Sequence, residues 1–115
     1  MAGYFEIRTR PDGTLQFKLM TDDHDIILTS EDYETKASCV NGIESVKKNA
    51  SDEDRYRRTT MPDGKFRFAL AAANGQVVGS SEYYETEAAR EEGIQSVKAI
   101  AAEAEVKDKA DFKSL

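Results

Sequence analysis

One cysteine, one histidine, two prolines and no tryptophan stand among 115 residues, and each scarcity closes off a class of explanation. Cys39 alone cannot form an internal disulfide, so packing must hold the fold, and a reducing compartment, the cytoplasm, is the expected location. His24 is the single imidazole, which leaves a Ser-His or Cys-His catalytic arrangement one possible base. No apolar run approaches the roughly 20 residues of a membrane-crossing helix. The start Met1-Ala2-Gly3-Tyr4-Phe5-Glu6 has neither the basic opening nor the apolar stretch of a signal peptide. No P-loop, dinucleotide fingerprint, zincin motif or nucleophile elbow occurs. The expectation is a protein that is not an enzyme, holds no cofactor and no metal, and does not engage a membrane.

What is present is said twice. Pro11-Asp12-Gly13 through Ala50 returns as Pro62-Asp63-Gly64 through Ala101 at a constant offset of 51 residues. Ser30-Glu31-x-Tyr33-Glu34-Thr35 becomes Ser81-Glu82-x-Tyr84-Glu85-Thr86, and Gly42-Ile43-x-Ser45-Val46-Lys47 becomes Gly93-Ile94-x-Ser96-Val97-Lys98. A gapless offset marks each copy as a complete packing unit.

Within a copy the hydrophobic period changes once. Phe5 and Ile7, then Leu15, Phe17 and Leu19, alternate with polar residues, the period of two of half-buried strands. Pro11-Asp12-Gly13 reads as a turn, and Ile26-Ile27-Leu28-Thr29 as a third strand. Copy two repeats this with Phe66, Phe68 and Leu70, a hairpin signal at Asn74-Gly75, and a strand at Gln76–Gly79. Beyond Ser30 the period becomes helical: Tyr33, Ala37, Val40, Ile43, Val46 and Ala50 share one face, and Thr35 and Thr86 are N-cap candidates. Gly42 and Gly93 lie inside these helices, where glycine costs roughly 1 kcal/mol, so a close approach to the sheet is expected there. A unit of about 50 residues with three strands and one helix is marginal alone. Two units sharing a sheet are not.

The expected fold is therefore α+β: tandem β-β-β-α(-β) repeats forming one antiparallel sheet, two helices on one face, and pseudo-two-fold symmetry. One domain, 1–115, is expected, with repeat one at 1–53, repeat two at 54–107 and a frayed tail at 108–115. Glu105-Val106-Lys107 is a candidate closing strand. A monomer is expected, the symmetric pair being contained in one chain.

The copy-one residues Gly3-Tyr4-Phe5-Glu6-Ile7, Asp12-Gly13, Phe17-x-Leu19, Ser30-Glu31-x-Tyr33 and Gly42-Ile43-x-Ser45-Val46-Lys47 resemble the YegP-like family of small bacterial proteins. The copy-two run from Asp63-Gly64-Lys65-Phe66 to Gly79-Ser80-Ser81-Glu82 resembles it more closely still. The resemblance covers all but the last dozen or so residues. It implies tandem β-β-β-α-β units in one sheet with exchanged C-terminal strands, and single-unit relatives that build the same architecture as dimers. Copy one departs from it at Asp23-His24, where copy two has Asn74-Gly75. The family is one of unknown function, so the resemblance implies no catalytic residues.

Candidate chemistry is thin. His24 among Asp22, Asp23 and Asp25 lies on a short turn, where contiguous side chains cannot converge on one ion. Cys39 has Arg90 as its counterpart, which suggests a helix position open to solvent, and no base is near it in sequence. Glu31 with Glu34, and Glu82 with Glu85, sit where helix starts favour negative charge. Ser30 with Tyr33, and Ser81 with Tyr84, read as a serine organising a corner and a tyrosine packing its ring, or else as paired ligand pockets.

Charge gives the remaining candidate. The net charge is −6, yet from Asp54 to Leu70 the basic residues Arg55, Arg57, Arg58, Lys65 and Arg67 face only Asp54 and Asp63. If the phenylalanines face the helices, alternation turns Tyr4, Arg8, Lys18, Arg57, Lys65 and Arg67 to the opposite face of the sheet. That face is the expected binding surface, for an unknown protein partner first. The alternative is weak nucleic-acid binding, with Arg8, Lys18, Arg57, Lys65 and Arg67 on phosphates and Tyr4 as a stacking platform. A plainly solvated face is what both must beat.

Overall fold

The structure, a computed structural model, describes residues 2–110. Repeat one supplies β1 (Gly3–Thr9), β2 (Leu15–Thr21), β3 (Ile26–Thr29) and α1 (Lys36–Asn49). Repeat two supplies β4 (Tyr56–Thr60), β5 (Phe66–Ala71), β6 (Val77–Ser80) and α2 (Glu87–Ile100), and the chain closes with β7 (Glu105–Asp108). All seven strands form one sheet in the order β4-β5-β6-β3-β2-β1-β7. At its centre Thr29 pairs with Ser80, and these are counterparts under the offset of 51. The pseudo-two-fold axis therefore passes between them.

Every pairing among β1 to β6 is antiparallel, but β7 runs parallel to β1, with Phe5 beside Val106 and Ile7 beside Asp108. The sheet is thus mixed rather than wholly antiparallel. The reason is where α2 ends: Ile100 packs against Gly3, so the next strand starts at the same end of the sheet as β1. The expected closing strand exists, and it joins the opposite repeat. It also outruns the expected boundary. Asp108 ion-pairs with Lys36 on α1, and Lys109 N–H donates to Ile7 carbonyl, 2.8 Å. Of the expected tail, 108–110 is thus tied down, and 111–115 lie outside the described residues.

Local rules account for the elements. Thr35 and Thr86 accept from the N–H groups of Ser38 and Ala89, satisfying donors that a helix start leaves open. Gly75 takes φ +87° at the β5–β6 turn, and its counterpart His24 takes φ +68° at the β2–β3 turn. The copy-one hairpin thus keeps its shape by placing a non-glycine residue in the left-handed region. Phe5, Ile7, Phe17 and Leu19 from one repeat, and Phe68, Leu70, Ile94 and Val97 from the other, are buried in one continuous core under both helices. Their inward direction fixes the other strand face as open.

Both helix glycines meet the same kind of neighbour. A methyl group at Gly42 would stand 2.7 Å from Tyr33 Cζ, and one at Gly93 would stand 2.9 Å from Tyr84 Cζ. Tyr33 stacks on Phe17 and Tyr84 on Phe68, with ring centroids 6.2 and 6.4 Å apart. Ser30 Oγ accepts from Phe17 N–H (2.9 Å) and donates to Glu31 carbonyl (2.7 Å), and Ser81 repeats both bonds with Phe68 and Glu82. The Ser-Glu-x-Tyr motif is a corner that seats a ring beneath a helix.

Candidate functional site

Alternation does turn the charged strand residues away from the helices, but the sheet order separates them. β1 and β4 stand five strand spacings apart, about 24 Å. The six expected residues therefore form two clusters, Tyr4, Arg8 and Lys18 at one end and Arg57, Lys65 and Arg67 at the other.

The first cluster is occupied by its own neighbours. Tyr4 is only 8% exposed. Its hydroxyl lies 2.9 Å from His24 Nδ1, and Lys107 covers its ring at 4.2 Å. It cannot serve as an open stacking platform. Arg8 Nε donates to Glu6 Oε1 at 3.1 Å. Glu6 also pairs in register with Lys18 on β2 and Lys107 on β7, so one carboxylate lies among three cations. His24 is spent on the same arrangement.

The second cluster differs. Lys65 Nζ leaves the strand face for Glu85, 2.6 Å away. Arg57 gives Nη1 to Asp54 carbonyl at 3.2 Å, and Arg67 lies over the Tyr83 ring at 5.2 Å. Neither guanidinium is paired with a carboxylate among the described residues. In register Arg67 faces Thr59, with Arg57 two residues further along β4. The two are therefore diagonal neighbours on the open face, roughly 7–8 Å apart at the backbone.

Tyr83 is the residue that the strand pattern could not offer. It is 55% exposed, and with Met61, Pro62, Asp63 and Lys65 it lines a depression of about 360 Å3 beside the β4–β5 turn. The signal was in the repeat itself, at positions where the copies disagree. Asp32 stands where Tyr83 does, and Arg10 where Met61 does. In repeat one Arg10 Nε and Asp32 Oδ1 form an ion pair of 3.2 Å. Repeat two replaces that self-satisfied pair with an exposed aromatic ring and a thioether, and sets Arg67 where repeat one has Gln16. Tyrosine and arginine around a partly apolar depression are what protein interfaces enrich, whereas a solvated face has no need of them.

On the helix side the copies diverge in the opposite sense. Ile7 and Val40 become Arg58 and Glu91, joined by two bonds of 2.8 Å. Arg58 also reaches Glu53 at 2.7 Å, and Lys98 reaches Glu53 at 2.5 Å. These bonds hold both carboxyls below the usual range and raise the guanidinium. Cys39 and Arg90 are both buried, against the expectation of an open position. Arg90 is held by Glu87 and Glu91 and lies 5.4 Å above the Phe66 ring. Burial pushes the Cys39 thiol up to about 11, the reverse of what a nucleophile requires.

Comparison with known proteins agrees with this architecture. The family model described as a domain of unknown function, DUF1508, matches twice, at residues 12–56 and 62–108. The chain is 48% identical over 106 residues to the UPF0339 protein in the ptx operon 5′ region of Stutzerimonas stutzeri, covering 92% of this chain and 96% of that one. It is 47% identical over 108 residues to the UPF0339 protein YegP of Shigella flexneri, covering 94% and 98%. The solution NMR structure of yegP from E. coli, titled a protein of unknown function, superposes with a TM-score of 0.90 at 45% identity over 96% of this chain and 95% of that one. That of a UPF0339 protein from Shewanella oneidensis superposes with a TM-score of 0.91 at 37% identity over 96% and 93%. Two matched units, full-length relatives and a common fold place this chain in the UPF0339 family of tandem DUF1508 proteins.

Proposed function

We propose that this chain is a non-catalytic protein-binding module whose contact surface is the β4–β5 end of the open sheet face: Arg57, Arg67 and Tyr83 around the Met61–Pro62 depression. One observation carries the reading. Repeat one satisfies its own charges at the equivalent places, while repeat two presents two guanidinium groups without carboxylates and an exposed ring. The remaining open-face cations fit nucleic acid poorly. Arg8 and Lys65 are bound to glutamates, and the two clusters are separated by β3 and β6, which carry no cations.

The test is affinity capture from extract of the native cell, comparing the wild type with Tyr83→Ala/Arg67→Glu and with Arg8→Glu at the opposite end. The reading expects a reproducible protein set that the first variant loses and the second keeps. Capture that both variants retain overturns it. So does steeply salt-dependent retention on an immobilised polyanion that vanishes in Arg8→Glu, which would mark phosphate contact across the sheet.

A further inference from the structure

The two ends of the sheet are equivalent by the internal two-fold, yet they are not equally covered. β1 carries β7 on its outer side, in parallel register from Tyr4 beside Glu105 to Ile7 beside Asp108. β4 is the counterpart of β1, with Tyr56 in the place of Phe5 and Arg58 in the place of Ile7, and it ends the sheet. At β1 the outward backbone groups include the Ile7 carbonyl, which accepts from Lys109 N–H. The corresponding outward groups of β4 belong to Tyr56, Arg58 and Thr60. An edge strand is a template for another strand unless something covers it.

We propose that the outer edge of β4 takes an extended segment of a partner protein in parallel register, seated as β7 is on β1, and that the segment is acidic where it passes Arg57. The proposal rests on the protein-binding reading above and specifies its mode. The charge pattern follows from the repeat. On β1, Glu6 stands beside Lys107. On β4, Arg57 stands in the place of Glu6, so the sign of the incoming residue inverts. One residue further on, Asp108 of β7 stands beside Ile7, whose counterpart is Arg58, and Glu87, the counterpart of the Asp108 partner Lys36, is already bound to Arg90, so the incoming residue there stays acidic. β7 reads Glu-Val-Lys-Asp. The complementary guest therefore reads Glu-Val-Glu-Asp.

The edge is also shaped to refuse a second copy's β7. Such a strand would bring Lys107 against Arg57, a like-charge contact in place of the attractive one that Lys107 has beside Glu6.

The experiment titrates isotopically labelled protein with an end-blocked peptide carrying the Glu-Val-Glu-Asp core, followed by amide chemical shifts. Two companion peptides carry the Glu-Val-Lys-Asp core and the first core with backbone N-methylation at alternate amides. The proposal expects shifts centred on Tyr56, Arg58 and Thr60, at least tenfold weaker binding for the Glu-Val-Lys-Asp peptide, and loss on N-methylation. Arg57→Glu should reverse the preference between the two cores. Binding that survives N-methylation, or shifts confined to Arg67 and Tyr83, overturns strand pairing while leaving the protein-binding surface intact. No shifts from any peptide at millimolar concentration overturn strand pairing, and capture of protein through Tyr83 and Arg67 would then stand or fall by the pull-down alone.

Discussion

Gly42 and Gly93 each lie over a tyrosine ring, and that contact sets how close the helices come to the sheet. Alanine at either position gains up to roughly 1 kcal/mol of helix propensity but forces a methyl group into a ring already stacked on a phenylalanine. Overpacking of this kind costs about 1–3 kcal/mol. Gly42→Ala and Gly93→Ala should therefore each destabilise by about 1–2 kcal/mol net in urea unfolding, and a stabilised variant would show that the ring simply yields. Cys39 gives the second expectation at this scale. Its folded thiol titrates at about 11, against about 8.5 in an unfolded chain. The unfolded state thus loses its proton first, and stability should fall as pH rises from about 8.5 toward 11, a decline that Cys39→Ala lessens. In the native protein the thiol should resist alkylation at neutral pH and react promptly in denaturant. The packing glycines were readable because they recur in both copies. Burial of position 39 was not, because Arg90 misled: its guanidinium is buried too, held by two glutamates and an aromatic ring.

Among elements, β4 departs furthest from its counterpart. Repeat one has the apolar residues Ile7 and Val40 at the places where repeat two has Arg58 and Glu91. The pair lies at the surface, so its worth is below about 1 kcal/mol. Arg58→Ile alone should weaken the fold slightly by leaving Glu53 and Glu91 uncompensated. Arg58→Ile/Glu91→Val, which restores the repeat-one pair, should match or exceed the wild type in urea midpoint near neutral pH. Both glutamates have lowered pKa values, so their contribution is present above about 4.3 and is lost as pH falls below it. The double variant should consequently show a shallower loss of stability on acidification, and an unchanged slope would remove the network from the account. Alternation and caps made the strands and helices legible here. The direction of β7 was not, because a four-residue strand carries no register of its own and takes it from where α2 delivers the chain.

At the scale of the whole molecule the duplication joins two marginal units across Thr29 and Ser80 into a single sheet over a single core. Phe17→Ala in repeat one removes a fully buried ring and should cost about 3–5 kcal/mol. If the halves form one cooperative body, amides of β2 and β5 should lose protection by the same amount in native-state hydrogen exchange. Protection lost in β2 alone would mean that the repeats unfold separately. The offset of 51 residues made this architecture plain before any coordinates. The open face was legible too, but not its division, since only the strand order shows that Tyr4 and Arg57 stand at opposite ends. The proposed contact surface lies where the symmetry is broken, and the repeat can be used to restore it. Replacing Met61, Arg67 and Tyr83 by their repeat-one counterparts, as Met61→Arg/Arg67→Gln/Tyr83→Asp, leaves the core untouched and gives the β4–β5 end the ion pair that repeat one has between Arg10 and Asp32. Partner capture measured with this variant is the most direct test: the account predicts that it is lost while the amide spectrum stays native-like, and capture equal to the wild type would contradict it.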